Sequence, residues 1–235
     1  MSGLGMPKID PNMDCKKILD KIQKAVYTFL KPYGFTKHGR TLHRFVSGDI
    51  SQVINFQLGQ AYLGHTHLLS VNVGIRVPEC MLRSFAPEPE LKKYYHEYDC
   101  NIRSRLGTVE GKKESCYSFF MYLDMVEADI IRQIRDYVLP AFEELNSREA
   151  ILEKRRAYPN MDTLNRHLIL LEEAMIYGRW GQLDKAAETL NLYYHQFTTG
   201  RMPQKDRRVI ERHAAYIREL AQQLNIEIRD AEKDQ

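Results

Sequence analysis

The chain has 235 residues, enough for one large domain or two small ones, and its 43% of hydrophobic residues is ordinary for a protein with a buried core. Its 34 basic and 31 acidic residues leave a formal net charge of only +3, which excludes the strongly basic class of nucleic-acid-binding proteins. No stretch approaches the roughly 18 consecutive apolar residues that a membrane-spanning helix needs, and the first residues lack the pattern of a secretory signal. We therefore expect a cytoplasmic protein that does not bind membranes, and we treat nucleic-acid binding as a weaker hypothesis, against which the near-neutral charge counts.

The first predicted element is an amphipathic helix. Residues 15–31, CKKILDKIQKAVYTFLK, place their apolar side chains on one face at intervals of three and four residues. Asp14 is a residue type that favours the N-cap position, and Pro32 and Gly34 end the pattern.

Five strands are predicted next, from short alternating segments with turn residues between them. They are RTLHRFV (40–46), ISQVINFQLGQ (50–60), THLLSVNVGIRV (66–77), DCNIRSRLG (99–107) and SCYSFFMYLD (115–124). The first three indicate an antiparallel meander, and Gly111 is the predicted turn residue between the last two. The connection at 78–95 contains three prolines and no sustained period, and it could lie over a site.

The remaining pattern is helical. A helix is predicted from about Glu127, with Pro140 bending or interrupting it, and further helices are predicted at about 162–178, 182–198 and 205–226. The stretch YGRWGQLDKAAETLNLYY is typical of a helical hairpin of the tetratricopeptide kind, but one pair does not make a repeat array.

The order of elements predicts an α+β fold class. Residues 1–147 are expected to form a five-stranded antiparallel sheet with helices on one face, and residues 148–235 a C-terminal helical appendage.

Alternation along the strands assigns each side chain to one face of the sheet. The core side is predicted to carry Ile54, Phe56, Leu58, Leu69, Val71, Val73, Ile75, Val77, Cys100, Ile102, Ser104 and Leu106. The opposite side, which we call the polar face, carries Asn55, Gln57, Ser70, Asn72, Gly74, Arg76, Asn101, Arg103 and Arg105. Asparagine and glycine are disfavoured inside strands, and Gly74 lets another group approach the backbone closely.

Amides and guanidinium groups can exchange directed hydrogen bonds with a partner, and arginine can bind a carboxylate or a phosphate with two parallel bonds. The predicted binding residues are Asn55, Gln57, Asn72, Arg76, Arg103 and Arg105. The alternative is that this side of the sheet is simply solvated, or is the side on which the C-terminal helices dock.

We predict no catalytic residue, no cofactor and no metal site. The common nucleotide, hydrolase and zinc-protease motifs are absent from the sequence. His65 and His67 could form half of a metal site but have no identifiable third ligand. An acid–base role for His96 with Glu97 or Asp99 is chemically possible, although such clusters are more often surface residues. The four cysteines form no CxxC pair and are expected to be reduced thiols.

Several short motifs occur in an order that resembles a bacterial family, domain of unknown function 4304, over about residues 14–146. They are FLKPYGFTKHGRTLHRF, VINFQ, VNVGIRV, CNIRSRLG and YVLPAFEEL. The resemblance implies a small cytoplasmic α+β protein without established catalytic residues. It also implies an aromatic last strand, often with tryptophan, where this chain has CYSFFMYLD.

Two hypotheses for function follow. The first is a non-enzymatic binding protein that recognises a protein partner through the polar face; by analogy of fold alone, the partner would be a toxin and the chain an immunity protein. The alternative is an enzyme acting on a small anionic substrate held by an arginine clamp.

Overall fold

A computed structural model of the chain describes residues 14–60, 67–82, 84, 90–118, 122–199 and 207–229. The strands are β1 (Thr36–His38), β2 (Thr41–Val46), β3 (Ile50–Gln60), β4 (His67–Arg76), β5 (Ile102–Arg105) and β6 (Cys116–Ser118). The α-helices are α1 (Cys15–Leu30), α2 (Pro78–Leu82), α3 (Leu123–Gln133), α4 (Leu139–Glu144), α5 (Arg148–Lys154), α6 (Ile169–Arg179), α7 (Leu183–Thr199) and α8 (Arg207–Gln223).

Two compact units divide the chain. One consists of the residues up to Arg76 together with Lys92–Leu164, and it contains the sheet. The other consists of Val77–Leu91 together with the residues from Asn165 onward, and it is helical. The predicted α+β class, with an antiparallel sheet and a C-terminal helical region, is therefore confirmed.

The sheet follows the predicted meander. Strands β1, β2, β3 and β4 pair in chain order, and every pair is antiparallel. Both β5 and β6 then pair with β4, β5 along Asn72–Ile75 and β6 along Leu68–Ser70. The predicted turn residue Gly111 has a φ of +79°, but β5 and β6 lie one after the other along β4.

Helices cover the apolar side of the sheet. Asp14 caps α1 as predicted, since its carboxylate accepts hydrogen bonds from the backbone N–H groups of Lys16 and Lys17. Gln52 shares the apolar side by alternation and donates a 2.6 Å hydrogen bond to the carbonyl of Phe142 in α4. The buried core of this unit includes Leu19, Ile22, Val26, Leu30, Leu42, Ile54, Phe56, Val71, Val73, Ile75, Val126, Ile130 and Phe142.

A π-helical turn at Ile134–Val138 lies between α3 and α4, directly before Pro140. The backbone N–H of Leu139 bonds the carbonyl of Ile134, five residues earlier. Because proline cannot donate to the carbonyl four residues before it, this local change of hydrogen bonding lets the helical path continue through Pro140. The predicted interruption therefore affects the bonding pattern and not the helical path.

A buried ion pair holds the segment that follows α5. Arg155 donates to the carboxylate of Asp162 at 2.9 and 2.5 Å, and both side chains are almost fully buried. The next residue, Thr163, donates its backbone N–H to the carbonyl of Arg103, and the hydroxyl of Ser104 donates to the carbonyl of Asn160. This segment thereby satisfies polar groups of β5.

The second unit contains the predicted helical hairpin. Helices α6 and α7 are joined by three residues, and Gly181 among them has a φ of +72°, a conformation that glycine adopts without strain. Helix α8 packs against α7. Within the described ranges, no helix has the length and apolar character required to cross a membrane.

Some predicted boundaries were wrong. Within the last predicted strand, 115–124, the described residues form a strand at Cys116–Ser118, and α3 already begins at Leu123; residues 119–121 lie outside the described residues. Strand β1 and helix α2 were missed because elements of three and five residues carry too few positions to show a period.

Candidate functional site

The strand register confirms the predicted separation of faces within β2–β5, but the prediction was wrong for Cys100, which precedes β5 and lies against Gly74 on the polar face and not on the core side. Directly paired residues of antiparallel strands point to the same side, and Thr41, Asn55, Asn72 and Arg105 form one such row across β2–β5. Ile54 pairs with Val73 in the neighbouring row, on the core side. Amides and guanidinium groups therefore share the face that the helices leave uncovered in this unit.

The exposure of the six predicted binding residues differs. Gln57 is exposed, whereas Asn55, Arg103 and Arg105 are half-buried. Asn72 and Arg76 are each only 3% exposed. The first four can reach a partner, while the last two hold neighbouring groups in place.

A chain of hydrogen bonds links the polar side chains. Arg105 donates through Nε to Asn72 Oδ1 at 2.9 Å, and Asn72 donates through Nδ2 to Gln57 Oε1 at 3.0 Å. Arg105 also donates through Nη1 to the carboxylate of Glu114 at 2.5 Å. Asn55 donates to the hydroxyl of Thr41 at 3.0 Å. The amides of the strands are therefore satisfied by one another, which orients them.

The other two arginines also have partners within this unit. Arg103 forms an ion pair with Glu97 at 3.6 Å. The guanidinium of Arg76 lies over the ring of Tyr95, 3.8 Å from its centroid. Neither guanidinium is therefore an open fork for a free anion.

The segment before β5 lies over the polar face; it shares only its first residues, up to Tyr95, with the connection 78–95 that the sequence suggested could lie over a site. Tyr95 is 1% exposed and contacts both Arg76 and the ring of Phe45. His96 Nδ1 lies 3.4 Å from Thr41 Oγ1. Since Thr41, Phe45 and Arg76 all belong to the polar face by register, this segment covers the face from above.

Gly74 makes this close cover possible. A Cβ atom added there would lie 2.7 Å from Cβ of Cys100 and 2.9 Å from its Sγ. The predicted close approach to the backbone of Gly74 is confirmed, and the group that approaches is the chain itself. Burial raises the pKa of the Cys100 thiol, which opposes a nucleophilic role.

Three rings of the covering segment and one from β1 form what we call the aromatic strip: His38, Tyr94, His96 and Tyr98. His38 stacks on Tyr94 with ring centroids 3.5 Å apart, and His96 stacks on Tyr98 at 4.9 Å. Tyr94 and His96 meet edge to face at 5.3 Å. Tyr98, at the end of the strip, is 59% exposed. The strip is a continuous, partly solvent-facing row of rings.

His43 supports the strip from the polar face. Its Nε2 lies 3.0 Å from Thr36 Oγ1, while its Nδ1 has no hydrogen-bond partner among the described residues. Burial lowers the pKa of His43, with a smaller contribution from the nearby His38. The neutral imidazole is therefore favoured beneath Tyr94, whose ring centroid lies 6.1 Å from that of His43.

The acid–base hypothesis for His96 gains no support from the geometry. The carboxylate of Asp99 accepts from the backbone N–H of His96, and Glu97 pairs with Arg103. Among the described residues, no group of three or more potential metal ligands forms a metal site. His65 and the side chain of His67 lie outside the residues that the structure describes.

Sequence reasoning missed the aromatic strip as a unit. The alternation in YYHEYDC, with Tyr94, His96 and Tyr98 two residues apart, was the available signal. His38 carried no signal, because β1 has three residues and its position beside Tyr94 depends on the fold. Glu97 and Glu114, the partners of the arginines, were likewise not identified.

Comparison with protein families gives a match over the sheet-containing part of the chain. A model described as Domain of unknown function (DUF4304) matches residues 26–144, about half of the chain. All six strands and the aromatic strip lie within the matched residues, and α5–α8 lie outside them. The search of curated proteins and the search of solved structures gave no match.

Proposed function

This chain belongs to the family described as a domain of unknown function (DUF4304), and we propose that it is a non-enzymatic binding protein whose partner is another protein. The partner contacts the aromatic strip and the adjoining rim of the polar face. The observation that carries the proposal is the row of four mutually packed rings ending in the exposed Tyr98.

The chemistry of the strip suits protein recognition. Tyrosine side chains provide a large contact area at a low cost in conformational entropy, and they are enriched among residues that dominate protein–protein affinity. The ring contacts already restrict Tyr94, His96 and Tyr98, so binding orders few further rotamers. The half-buried Arg103 and Arg105 beside them, each paired with a carboxylate, supply polar contacts at the rim.

The alternative of a small anionic substrate is less well supported. A substrate anion would have to compete with Glu97 for Arg103 and with Glu114 for Arg105. Arg76 is buried against Tyr95. Stacked ring faces also disfavour a nucleic-acid platform, because bases need open ring faces on which to stack.

We extend this proposal in two respects: the chain is located in the cytoplasm, and its partner is a toxin. Both rest on the analogy of small α+β domains without catalytic motifs, and the second would make the chain an immunity protein.

The test is affinity capture from the native host with the full chain as bait, followed by titration calorimetry with the purified partner. Tyr98→Ala should weaken binding by at least about tenfold, since truncating a central aromatic contact typically costs 2 kcal/mol or more, while the melting temperature stays nearly constant. Arg103→Ala should weaken binding less, as expected for a rim residue.

Tyr122→Ala is the matched control. Tyr122 is 78% exposed and makes no ring contact with the strip, so the same truncation there should leave affinity unchanged. Equal affinities for wild type and Tyr98→Ala would refute the strip as the binding surface. Capture of metabolites alone would favour the anionic-substrate alternative.

A further inference from the structure

Three imidazoles surround one tyrosine of the aromatic strip. His38 stacks on Tyr94 with ring centroids 3.5 Å apart, His96 meets it edge to face at 5.3 Å, and the centroid of His43 lies 6.1 Å away. Histidine is the side chain whose ordinary pKa places its change of charge between pH 5 and 8. The surface that we assign to the partner is therefore built around side chains of a titratable type.

The three imidazoles differ in their access to water. His38 is exposed and His96 is half-buried, whereas His43 is only 6% exposed. The Nε2 atom of His43 lies 3.0 Å from the hydroxyl of Thr36, and its Nδ1 has no hydrogen-bond partner among the described residues. Both ring nitrogens of a protonated histidine are donors, so a proton on His43 would leave a charged, buried N–H group without an acceptor. Such a group carries a large cost in free energy.

The neighbours of His43 do not compensate a positive charge. Among the described residues, the side chains that face it are Thr36 and His38 of β1, Phe45 of β2, Val53 of β3 and Tyr94 of the covering segment, residues 92–99. None of these is a carboxylate. His38 is the one that can become a cation, and its charge would repel a charge on His43.

The charged groups of the covering segment do not compensate it either. Lys93 is exposed, and the other three charged side chains lie against other groups: Glu97 pairs with Arg103, Asp99 accepts the backbone N–H of His96, and Lys92 lies over the ring of Tyr95. A protonated His43 is therefore stabilised only when water reaches it.

Tyr94 controls the access of water to His43. The paired strands β1 and β3 close the two sides of the imidazole, and the half-buried Tyr94 lies above it. Displacement of Tyr94 would hydrate Nδ1, but it would also break the contacts of Tyr94 with His38 and His96, which are two of the three ring contacts of the strip. Protonation of His43 and an intact strip therefore exclude each other.

We propose that the aromatic strip is a pH-dependent surface: the neutral imidazole of His43 lets Tyr94 pack, and protonation of His43 lifts the covering segment, dismantles the strip and releases the partner in mild acid. The release of a partner rests on the proposed function, whereas the opening of the strip does not.

The direction and size of the effect follow from proton linkage. Burial lowers the pKa of His43 in the closed arrangement, so the open arrangement binds the proton more readily and becomes more populated as the pH falls. With an ordinary pKa of about 6.5 in the open arrangement, a change from about pH 7.5 to about pH 5.5 raises the ratio of open to closed molecules by up to about tenfold.

Two thiols of the chain measure this opening without a partner. Cys100 is 1% exposed and donates its thiol to the carbonyl of His96, whose ring contacts Tyr94, whereas Cys116 is exposed. The full chain is labelled slowly with dithiodipyridine, a thiol reagent that reacts in mild acid, and both sites are followed by mass spectrometry. The ratio of the Cys100 rate to the Cys116 rate removes the pH dependence that exposed thiols share. This ratio should rise by up to about tenfold from about pH 7.5 to about pH 5.5.

His43→Gln is the informative variant, because glutamine can bond Thr36 but does not titrate in this range, so the ratio should no longer depend on pH. His195→Gln, at an exposed position of α7, is the matched control and should behave as the wild type. Far-UV circular dichroism should stay constant over the same pH range. A wild-type ratio that is equal at both pH values, a pH dependence that persists in His43→Gln, or a parallel loss of the helical signal would each overturn the proposal.

Calorimetry with the partner captured from the native host tests the release. Wild-type affinity should be weaker at about pH 5.5 than at about pH 7.5, and His43→Gln should reduce this difference. Equal affinities at the two pH values would overturn the release. The two proposals fail separately: unchanged binding by Tyr98→Ala refutes the strip as the binding surface even if the thiol ratio responds to pH, and a constant thiol ratio refutes the pH dependence even if the strip binds the partner.

Discussion

The substitution Gly74→Ala tests whether β4 requires a bare backbone where the cover of the polar face lies against it. The added Cβ atom would lie 2.7 Å from Cβ of Cys100, 2.9 Å from its Sγ and 3.1 Å from the carbonyl oxygen of Ile102. Ordinary contacts of a Cβ atom begin at 3.4 Å, so Cys100 must move by several tenths of an ångström. Cys100 is buried, and it connects the strip-bearing segment to β5.

Two opposing effects set the size of the change in the free energy of unfolding. Overpacking of this kind costs about 1–3 kcal/mol, whereas replacing glycine with alanine restricts the unfolded chain and contributes about 0.5–1 kcal/mol of stability. The position does not require a positive φ, so alanine adds no backbone strain. The net expectation is a loss of about 1–2 kcal/mol, which lowers the melting temperature by roughly 2–8 °C for a chain of this length.

Thermal and urea unfolding, followed by circular dichroism, measure this loss. Cys100→Gly removes the side-chain atoms that clash with the new Cβ. It should therefore lower the free energy of unfolding less in the Gly74→Ala background than in the wild type, so that the double-mutant cycle shows coupling. A Gly74→Ala variant at least as stable as the wild type, or additive effects of the two substitutions, would refute the steric argument.

Three further predictions concern single groups. Arg155→Ala should lower the free energy of unfolding by about 3–5 kcal/mol in urea titrations, because it leaves the carboxylate of Asp162 buried and unpaired; a loss below about 1 kcal/mol would contradict this. Burial lowers the pKa of His43, so the unfolded chain binds this proton more readily and stability should fall as the pH drops below about 6.5. His43→Gln should remove that part of the pH dependence. If stability varies with pH in the variant as it does in the wild type, His43 is not its cause. Iodoacetamide, followed by mass spectrometry, should modify the exposed Cys116 well before Cys100, whose thiol is buried with a raised pKa; the reverse order would show that the cover is open.

Local sequence patterns predicted those helices and turns that are stabilised by residues close to one another along the chain. Asp14 before a run of apolar residues at helical spacing was sufficient to place α1, because N-capping and amphipathicity act within a few residues. The stretch YGRWGQLDKAAETLNLYY likewise predicted the helical hairpin of the second unit, and the structure places Gly181 in its turn. The short elements β1 and α2 could not be predicted, since contacts made by distant residues stabilise them.

The candidate site was predicted only in part, because some of its contacts join residues that are distant along the chain. Alternation placed Asn72 and Arg105 on one face, and the register confirms this, because the pleat fixes the side on which each residue emerges. Alternation could not show that Glu114 would pair with Arg105 or that Tyr95 would lie against Arg76. Those contacts depend on how loops return to the sheet.

The sequence by itself determined the antiparallel meander, the helices around it and the two chemically different faces of the sheet. These follow from periodicity and capping, which depend on neighbours along the chain. Only the tertiary structure decided that residues 92–99 cover the polar face, that four rings pack into one strip, and that His43 lies buried beneath Tyr94. Such arrangements join residues far apart in the chain, as His38 and Tyr94 are in the strip with 56 positions between them, and no local pattern in the chain encodes contacts over that separation.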